Sequence, residues 1–239
     1  MRTPYNVDVQ ENCTTCTLRN QPGRFCDMSV GTLTSMNAVK FTTVYPKGSL
    51  LFVEGEAPRG VFVLCSGKAK LTTSSSEGRT LIVKIAGAGE VLGASAAILG
   101  NAYELSAETT EPAQVNFIRR EDFLRLISSY PDACMHTATQ LSQKYQAAQR
   151  EIRSLGLSQT TSEKLAKLIL NWCVDGEKTP SGIRLKVLQT HEEIAQMLGT
   201  TRETVTRLLG DFRRRKIIDV KGSTILVAQQ LALQGMVSI

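Results

Sequence analysis

Four polar side chains near the C-terminus have the types and spacing needed to read DNA. Arg202, Glu203, Thr206 and Arg207 recur at i, i+1, i+4 and i+5, so on a helix they share one face. Arginine can bond a guanine edge with two hydrogen bonds, and glutamate can accept from a cytosine amino group. Each such pair contributes about 1–3 kcal/mol of base discrimination. Val205, Leu208, Leu209 and Phe212 occupy the opposite face and are expected to turn inward. The basic run Arg213, Arg214, Arg215 and Lys216, with Lys221 further on, suits phosphate contacts rather than base edges.

A second group of candidates lies at the other end of the chain. Cys13, Cys16 and Cys26 form one tight pair with a third thiol in reach. Cysteines in such spacing ligate iron–sulfur clusters or zinc, and thiols also respond directly to oxidants. Cys65 and Asp27 are candidates for a fourth ligand, and Arg19 and Arg24 would favour thiolates by charge. Cys65, Cys134 and Cys173 sit among apolar neighbours and read as buried thiols. The chain has 2 histidines, His136 and His191, so a histidine-rich metal site is excluded. Neither falls within residues 40–120, which argues against a metal-dependent enzyme built on that part of the chain.

Both groups need elements to hold them. Thr190 with Glu193 has the form of a capping box, starting a short helix that Gly199 ends. Thr200 or Thr201 can cap the next helix, the one carrying Arg202. Two short helices joined by a glycine turn make a helix-turn-helix, in which the second enters the major groove N-terminus first. Ile217 to Val227, turning at Lys221, Gly222 and Ser223, reads as a β-hairpin wing. Upstream, residues 40–120 alternate short apolar runs with glycines, as in a β-sandwich or jelly roll. Glu121 to Ser129 is expected to be a short helix ending before Pro131.

Beyond it, Cys134, Ala138, Leu141, Tyr145, Ala148, Ile152 and Leu155 follow alternating spacings of 4 and 3, the repeat of a coiled-coil seam. Gln140, Lys144, Gln146, Arg150 and Glu151 are expected on the other side. The seam implies a homodimer, helped by neighbouring surfaces because alanines make a weak seam. Thr161 to Val174 reads as a helix with Leu165, Leu168, Ile169 and Trp172 on one face. Asp175 to Gly182 reads as a loop, and Ile183, Leu185 and Val187 as one face of a strand.

The fold class is therefore α+β. The expected organisation is a cysteine-bearing segment (1–30), a jelly-roll, double-stranded β-helix sensor domain (31–130), a dimerisation helix (131–157) and a winged helix-turn-helix (158–239). Residues 1–30 read as irregular. The net charge of +6 suits a polyanionic partner. Nine Lys/Arg against five Asp/Glu between Arg184 and Lys221 place +4 of it in the DNA-reading segment. No stretch approaches the roughly 18 apolar residues of a membrane span, and Met1 to Gln10 contains no apolar signal core. A cytoplasmic protein without membrane contact is expected.

Glu193-Ile194-Ala195, Leu198-Gly199 and Thr201 to Arg207 resemble the winged helix of the CRP/FNR regulators, and the resemblance extends in order over nearly the whole chain. It implies a dimeric transcription factor that binds double-stranded DNA and RNA polymerase. Arg202, Glu203 and Arg207 would be its base readers, and Thr190 and Thr201 would join the backbone contacts. With Arg202 and Thr206 in place, the resemblance implies a CRP-like, TGTGA-type half-site in a palindrome.

The family's cyclic-nucleotide branch holds the ribose with a glutamate and the phosphate with an arginine. The matching pocket positions here are Gly93, Ala94, Leu105 and Ser106, with Ala94 and Leu105 in place of those two ligands. A buried phosphate without a cation is costly, so cAMP is not the expected effector. The FNR branch resembles the cysteine segment instead, and implies an oxygen-labile iron–sulfur cluster. Its internal ligand position corresponds to Asn116 here. The expected function is a redox- or oxygen-responsive regulator. The alternative is a regulator obeying a different small effector in the β-roll.

Overall fold

The computed structural model describes Tyr5 and residues 7–19, 21–156 and 160–237, with side chains omitted for residues 150–156. The chain divides into two compact units, Met1–Arg150 and Glu151–Ile239. The predicted seam positions Ile152 and Leu155 therefore lie outside the described side chains.

The first unit begins with a 3-10 turn, Cys13–Thr15, and α1, Val30–Val39. Strands β1 (Lys40–Tyr45), β2 (Leu50–Phe52), β3 (Gly60–Leu64), β4 (Ala69–Ser74), β5 (Thr80–Ala86) and β6 (Val91–Leu92) follow. A short helix α2 (Ala94–Leu99) precedes β7 (Ser106–Thr109) and β8 (Ala113–Arg119). The unit closes with α3 (Arg120–Ser129) and the start of α4 (Pro131–Gly156). The strands pair antiparallel in two sheets, ordered β1-β8-β3-β6 and β2-β7-β4-β5, which is the expected jelly roll.

Strand alternation explains why β3 is buried along its whole length. Successive side chains point to opposite faces. Phe62 and Leu64 enter the roll with Phe52, Leu71 and Tyr103. Val61 and Val63 point the other way, onto a second core with Phe25, Cys26, Leu33, Met36, Phe123 and Ala133. The N-terminal segment is irregular as expected, and it buries Phe25, Cys13, Cys26 and Met28 in this second core. Burying a phenylalanine stabilises by roughly 1.5–3 kcal/mol, so Phe25 holds the segment only together with Cys13, Leu18, Cys26 and Met28 in the same core.

Three expectations change. Cys134 is exposed and Cys65 half-buried, so of the three presumed core thiols only Cys173 is buried. Gln140 and Lys144 do not face outward; Gln140 is 5% exposed against the roll. The stripe Ala133, Thr137, Gln140 packs on the unit's own core, while Cys134, Ala138, Tyr145 and Ala148 lie exposed and Leu141 is half-buried. The same helix thus carries two faces. Finally, the stretch after Asp175 contains a strand.

The second unit holds α5 (Thr161–Cys173), β9 (Glu177–Thr179), β10 (Gly182–Lys186), α6 (His191–Leu198), α7 (Arg202–Arg214), β11 (Ile218–Lys221), β12 (Thr224–Val227) and α8 (Gln230–Gln234). Its sheet runs β11-β12-β10-β9. Leu165, Ile169, Ile194, Val205, Leu209, Phe212 and Ile225 fill one core. The predicted wing is β11 and β12, turning at Gly222.

Candidate DNA interface and cysteine group

Local capping sets the two helices of the reading head. The Thr190 hydroxyl accepts from Glu193 N at 3.2 Å, and the Glu193 carboxylate accepts from Thr190 N at 2.8 Å, closing the predicted capping box. Gly199 ends α6 in the left-handed region (φ 64°), a conformation that strains any residue with a Cβ. Thr201, not Thr200, caps α7 by accepting from Thr204 N at 3.3 Å.

Val205, Leu208, Leu209 and Phe212 are buried as expected, so the remaining face must turn to solvent. Arg202, Glu203, Thr206 and Arg207 are all exposed on it. None of them is ion-paired among the described residues. Thr206 is less free: its hydroxyl donates to Arg202 O at 2.9 Å and lies 2.9 Å from His191 Nδ1. His191 is thereby tied to the recognition face, a contact sequence reasoning did not foresee. The hydroxyls of Thr190 and Thr201, expected at phosphates, are occupied as helix caps.

Arg213, Arg214, Arg215, Lys216 and Lys221 are exposed. Asp211 engages Arg214 at 3.1 Å and Arg215 at 3.8 Å, and Asp219 engages Lys221 at 3.8 Å. Exposed pairs of this kind hold little energy and give way to a phosphate readily. Lys216 terminates the run with φ 56°, turning the chain into the wing.

The cysteine group is built from distant parts of the first unit. Cys13, Cys16 and Cys26 come from the N-terminal segment, and Cys65 follows β3. Cys13 and Cys26 share one buried core with Val61 and Val63 of β3, Cys16 packs against it, and Cys65 lies next in the chain after β3. Burial pushes the Cys13 and Cys26 thiols up and Cys65 up to about 12. The opposing cation is Lys40, not the expected Arg19 or Arg24. Arg19 donates to Thr14 O at 3.0 Å, and Arg24 to Ala88 O at 2.6 Å.

Asn116 is fully buried, donates to Cys13 Sγ at 3.7 Å and accepts from Thr42 Oγ1 at 2.7 Å. The internal position singled out in the sequence thus adjoins the cysteines, but carries an amide. Among the described residues no three His, Cys, Asp or Glu side chains are arranged to hold a metal ion. The donors suit a cluster chemically, and burial holds Cys13, Cys26 and Cys65 as neutral thiols.

The cysteine segment also touches the loop before β6. Phe25 N donates to Gly89 O at 2.8 Å, and the Arg24 side chain lies against Gly89, where a Cβ would come within 2.4 Å of it. The same Gly89 carbonyl accepts from Gln140 Nε2 at 2.9 Å. Gln140 Oε1 accepts from Val91 N at 2.9 Å, and Lys144 Nζ donates to Val91 O at 3.0 Å. Lys84 and Glu90 pair beside them. One loop, Gly89 to Val91, is therefore gripped by the cysteine segment on one side and by α4 on the other.

The pocket positions of the β-roll carry no phosphate ligand. Gly93 caps α2 in the left-handed region, Ala94 is 1% exposed, and Leu105 packs against the roll's core. Ser106 Oγ accepts from Glu54 N at 2.9 Å.

A jelly-roll domain, a long helix and a winged helix-turn-helix with an exposed arginine–glutamate stripe define a DNA-binding transcription regulator. Residues 42–130 match the family described as Cyclic nucleotide-binding domain, and residues 163–236 match the Crp-like helix-turn-helix domain. The chain belongs to the CRP/FNR family of transcription regulators. It is 29% identical over 187 residues to the cAMP-activated global transcriptional regulator CRP of Pasteurella multocida, covering 77% of this chain and 88% of that one. With the Global nitrogen regulator of Synechococcus elongatus it shares 26% over 197 residues, 81% and 88% of the two chains. Its fold resembles FixK2 from Bradyrhizobium japonicum (TM-score 0.72, 20% identity, 84% and 98% covered). It also resembles the c-di-GMP responsive global regulator CLP of Xanthomonas campestris (TM-score 0.74, 21%, 83% and 99%). Among the described residues no helix is long and apolar enough to cross a membrane.

Proposed function

We propose that this regulator acts as a homodimer, reads a palindrome with TGTGA-type half-sites, and is switched by the redox state of its cysteine group. Arg202, Glu203 and Arg207 read bases, while Arg213 to Lys216 and Lys221 meet phosphate. The exposed side of α4, with Ala138, Tyr145 and Ala148, meets the partner helix, and RNA polymerase is the further protein partner. Tyr145 is 66% exposed in the single chain, as an uncovered seam position would be.

The observation that carries the switch is the shared Gly89 carbonyl. Cys26 adjoins Phe25, whose N–H holds Gly89 O, and Gln140 of the dimer helix holds the same oxygen. A change of bonding at Cys26 moves Phe25, releases or strains Gly89, and so shifts the register of α4 against the roll. Cys13, Cys16, Cys26 and Cys65 are the four thiols that would supply ligands to an iron–sulfur cluster. Bound, such a cluster would supply oxygen-sensitive redox chemistry; ligation requires the buried thiols to lose their protons.

Anaerobic purification with absorption spectroscopy and iron and sulfide analysis tests this. Brown protein, with colour and DNA response lost together on Cys26→Ser, supports the cluster. Colourless protein whose DNA affinity still changes on thiol oxidation restricts the switch to the thiols themselves. Colourless protein indifferent to oxidant rejects the redox reading.

A second reading has its own support, the match to a cyclic nucleotide-binding domain. In it a small effector other than cAMP occupies the roll near Gly93, Ala94, Leu105 and Ser106, and the cysteines play no part. DNA affinity would then depend on an added metabolite and survive replacement of Cys13, Cys16 and Cys26 by serine.

A further inference from the structure

A cleft of about 770 Å³ opens on the β-roll beside β2, β3 and the end of β8, within the size range of small-molecule sites. None of Gly93, Ala94, Leu105 and Ser106 lines it, so it lies apart from the pocket positions discussed above. Three arginines line it, Arg59, Arg119 and Arg120, with Glu121 as the one acid in the lining. Three positive charges against one negative leave the cleft at +2. Neither the three arginines nor Glu121 joins an ion pair among the described residues.

The floor is aromatic. Phe62 and Phe117 pack with ring centroids 5.0 Å apart, and both line the cleft together with Tyr45. The Arg119 guanidinium is already ordered, lying 5.1 Å from the centre of the Phe41 ring. Arg120 is held as well, its Nε donating to Ala97 O at 2.8 Å. The exposed guanidinium groups of Arg59 and Arg119 thus stand beside an apolar floor with no carboxylate partner among the described residues. They complement a ligand that has a negative head and a flat apolar body.

We infer that this cleft is a binding site for a small organic anion with an aromatic body. Its head is taken by Arg59 and Arg119, and its ring lies on Phe62 and Phe117. Arg120, which lines the cleft, is bonded through Nε to Ala97 O of α2, the helix that follows the Gly89–Val91 loop.

Naphthalene-1-sulfonate serves as the probe and uncharged naphthalene-1-sulfonamide as its control, each titrated into the full chain by calorimetry. The expected result is one sulfonate per chain, with the sulfonamide at least about tenfold weaker. Arg59→Gln and Arg119→Gln should each weaken the sulfonate about tenfold, and Arg59→Lys by much less, because it keeps the charge. Arg59 and Arg119 are exposed, and an unchanged melting temperature verifies that the variants fold. Arg213→Gln, in the basic run of the DNA-reading unit, should leave probe binding unaltered. Equal affinity of sulfonate and sulfonamide, or loss on Arg213→Gln but not on Arg59→Gln, overturns the assignment.

Discussion

Arg202, Glu203 and Arg207 are presented by one helix, α7, whose inward face and caps lie in the same short stretch of chain. Cys13, Cys26 and Cys65 are assembled otherwise: a terminal segment, a buried phenylalanine and the end of β3 must all meet before the thiols share one neighbourhood. The reading surface follows from local rules of capping and periodicity. The cysteine group depends on long-range packing. The first can therefore persist while its signal input changes, because its geometry requires nothing from the first unit's core.

The sharpest break of this contrast is Arg207→Ala. If α7 reads bases with the exposed stripe, each half-site loses about 1–3 kcal/mol, about 2–6 kcal/mol for a two-fold dimer. Selection from randomised DNA would define the preferred site, and anisotropy at fixed salt would measure the loss. Undiminished discrimination in the variant would reject the docking described above.

Gln140→Leu tests the other side of the comparison. It leaves Val91 N without its acceptor in a buried setting, at a cost of about 1–3 kcal/mol in denaturant unfolding. The same substitution should alter DNA affinity, although Gln140 belongs to the first unit, because it removes the two Gln140 bonds to the Gly89–Val91 loop and leaves Lys144 as the remaining α4 contact. Lost stability with unaltered DNA affinity would confine Gln140 to a structural role.

Thiol chemistry gives a smaller, residue-resolved effect. Cys134 is exposed, whereas burial raises the Cys13, Cys26 and Cys65 thiols and keeps them neutral. Alkylation near pH 7.5, followed by peptide mass spectrometry, should modify Cys134 about tenfold faster or more. A raised folded-state value also fixes the sign of a pH effect. The stabilising contribution of the neutral thiols is complete below the ordinary thiol value of about 8.5 and declines as pH rises beyond it. Cys26 reacting as fast as Cys134 would contradict its burial.

What the sequence made legible divides along the same line. The capping box at Thr190, the glycine turn, the inward face of α7 and the wing all stand where pattern places them, because each is decided by neighbours in the chain. The jelly roll was legible as a class, through short apolar runs and glycine turns. The burial of Phe25 and Cys26 was not, since a segment with Pro22 and Gly23 shows no period; only its fit against α1 and α3 orders it. Gln140 and Lys144 were misplaced because the heptad through Ala138 and Tyr145 was taken as the helix's one buried face. A second stripe, Ala133, Thr137, Gln140 and Lys144, runs at the same spacings one position earlier, and its polar members are satisfied by backbone that a sequence does not display.

Arg214→Ala should produce the smallest effect and the cleanest contrast with Arg207. Arg214 lies past the apolar face of α7, exposed and paired with Asp211, where a phosphate can replace the carboxylate. Losing one phosphate contact per protomer lowers the slope of log affinity against log salt by about 0.9 each, about 2 for the dimer. The weakening should be equal on preferred and scrambled DNA, because a phosphate contact carries no base information. The partnership with Asp211 reduces the change further, since the wild-type arginine must leave one anion to reach another. A variant that altered the ranking of half-sites would place Arg214 at a base edge and enlarge the reading surface beyond the first turns of α7.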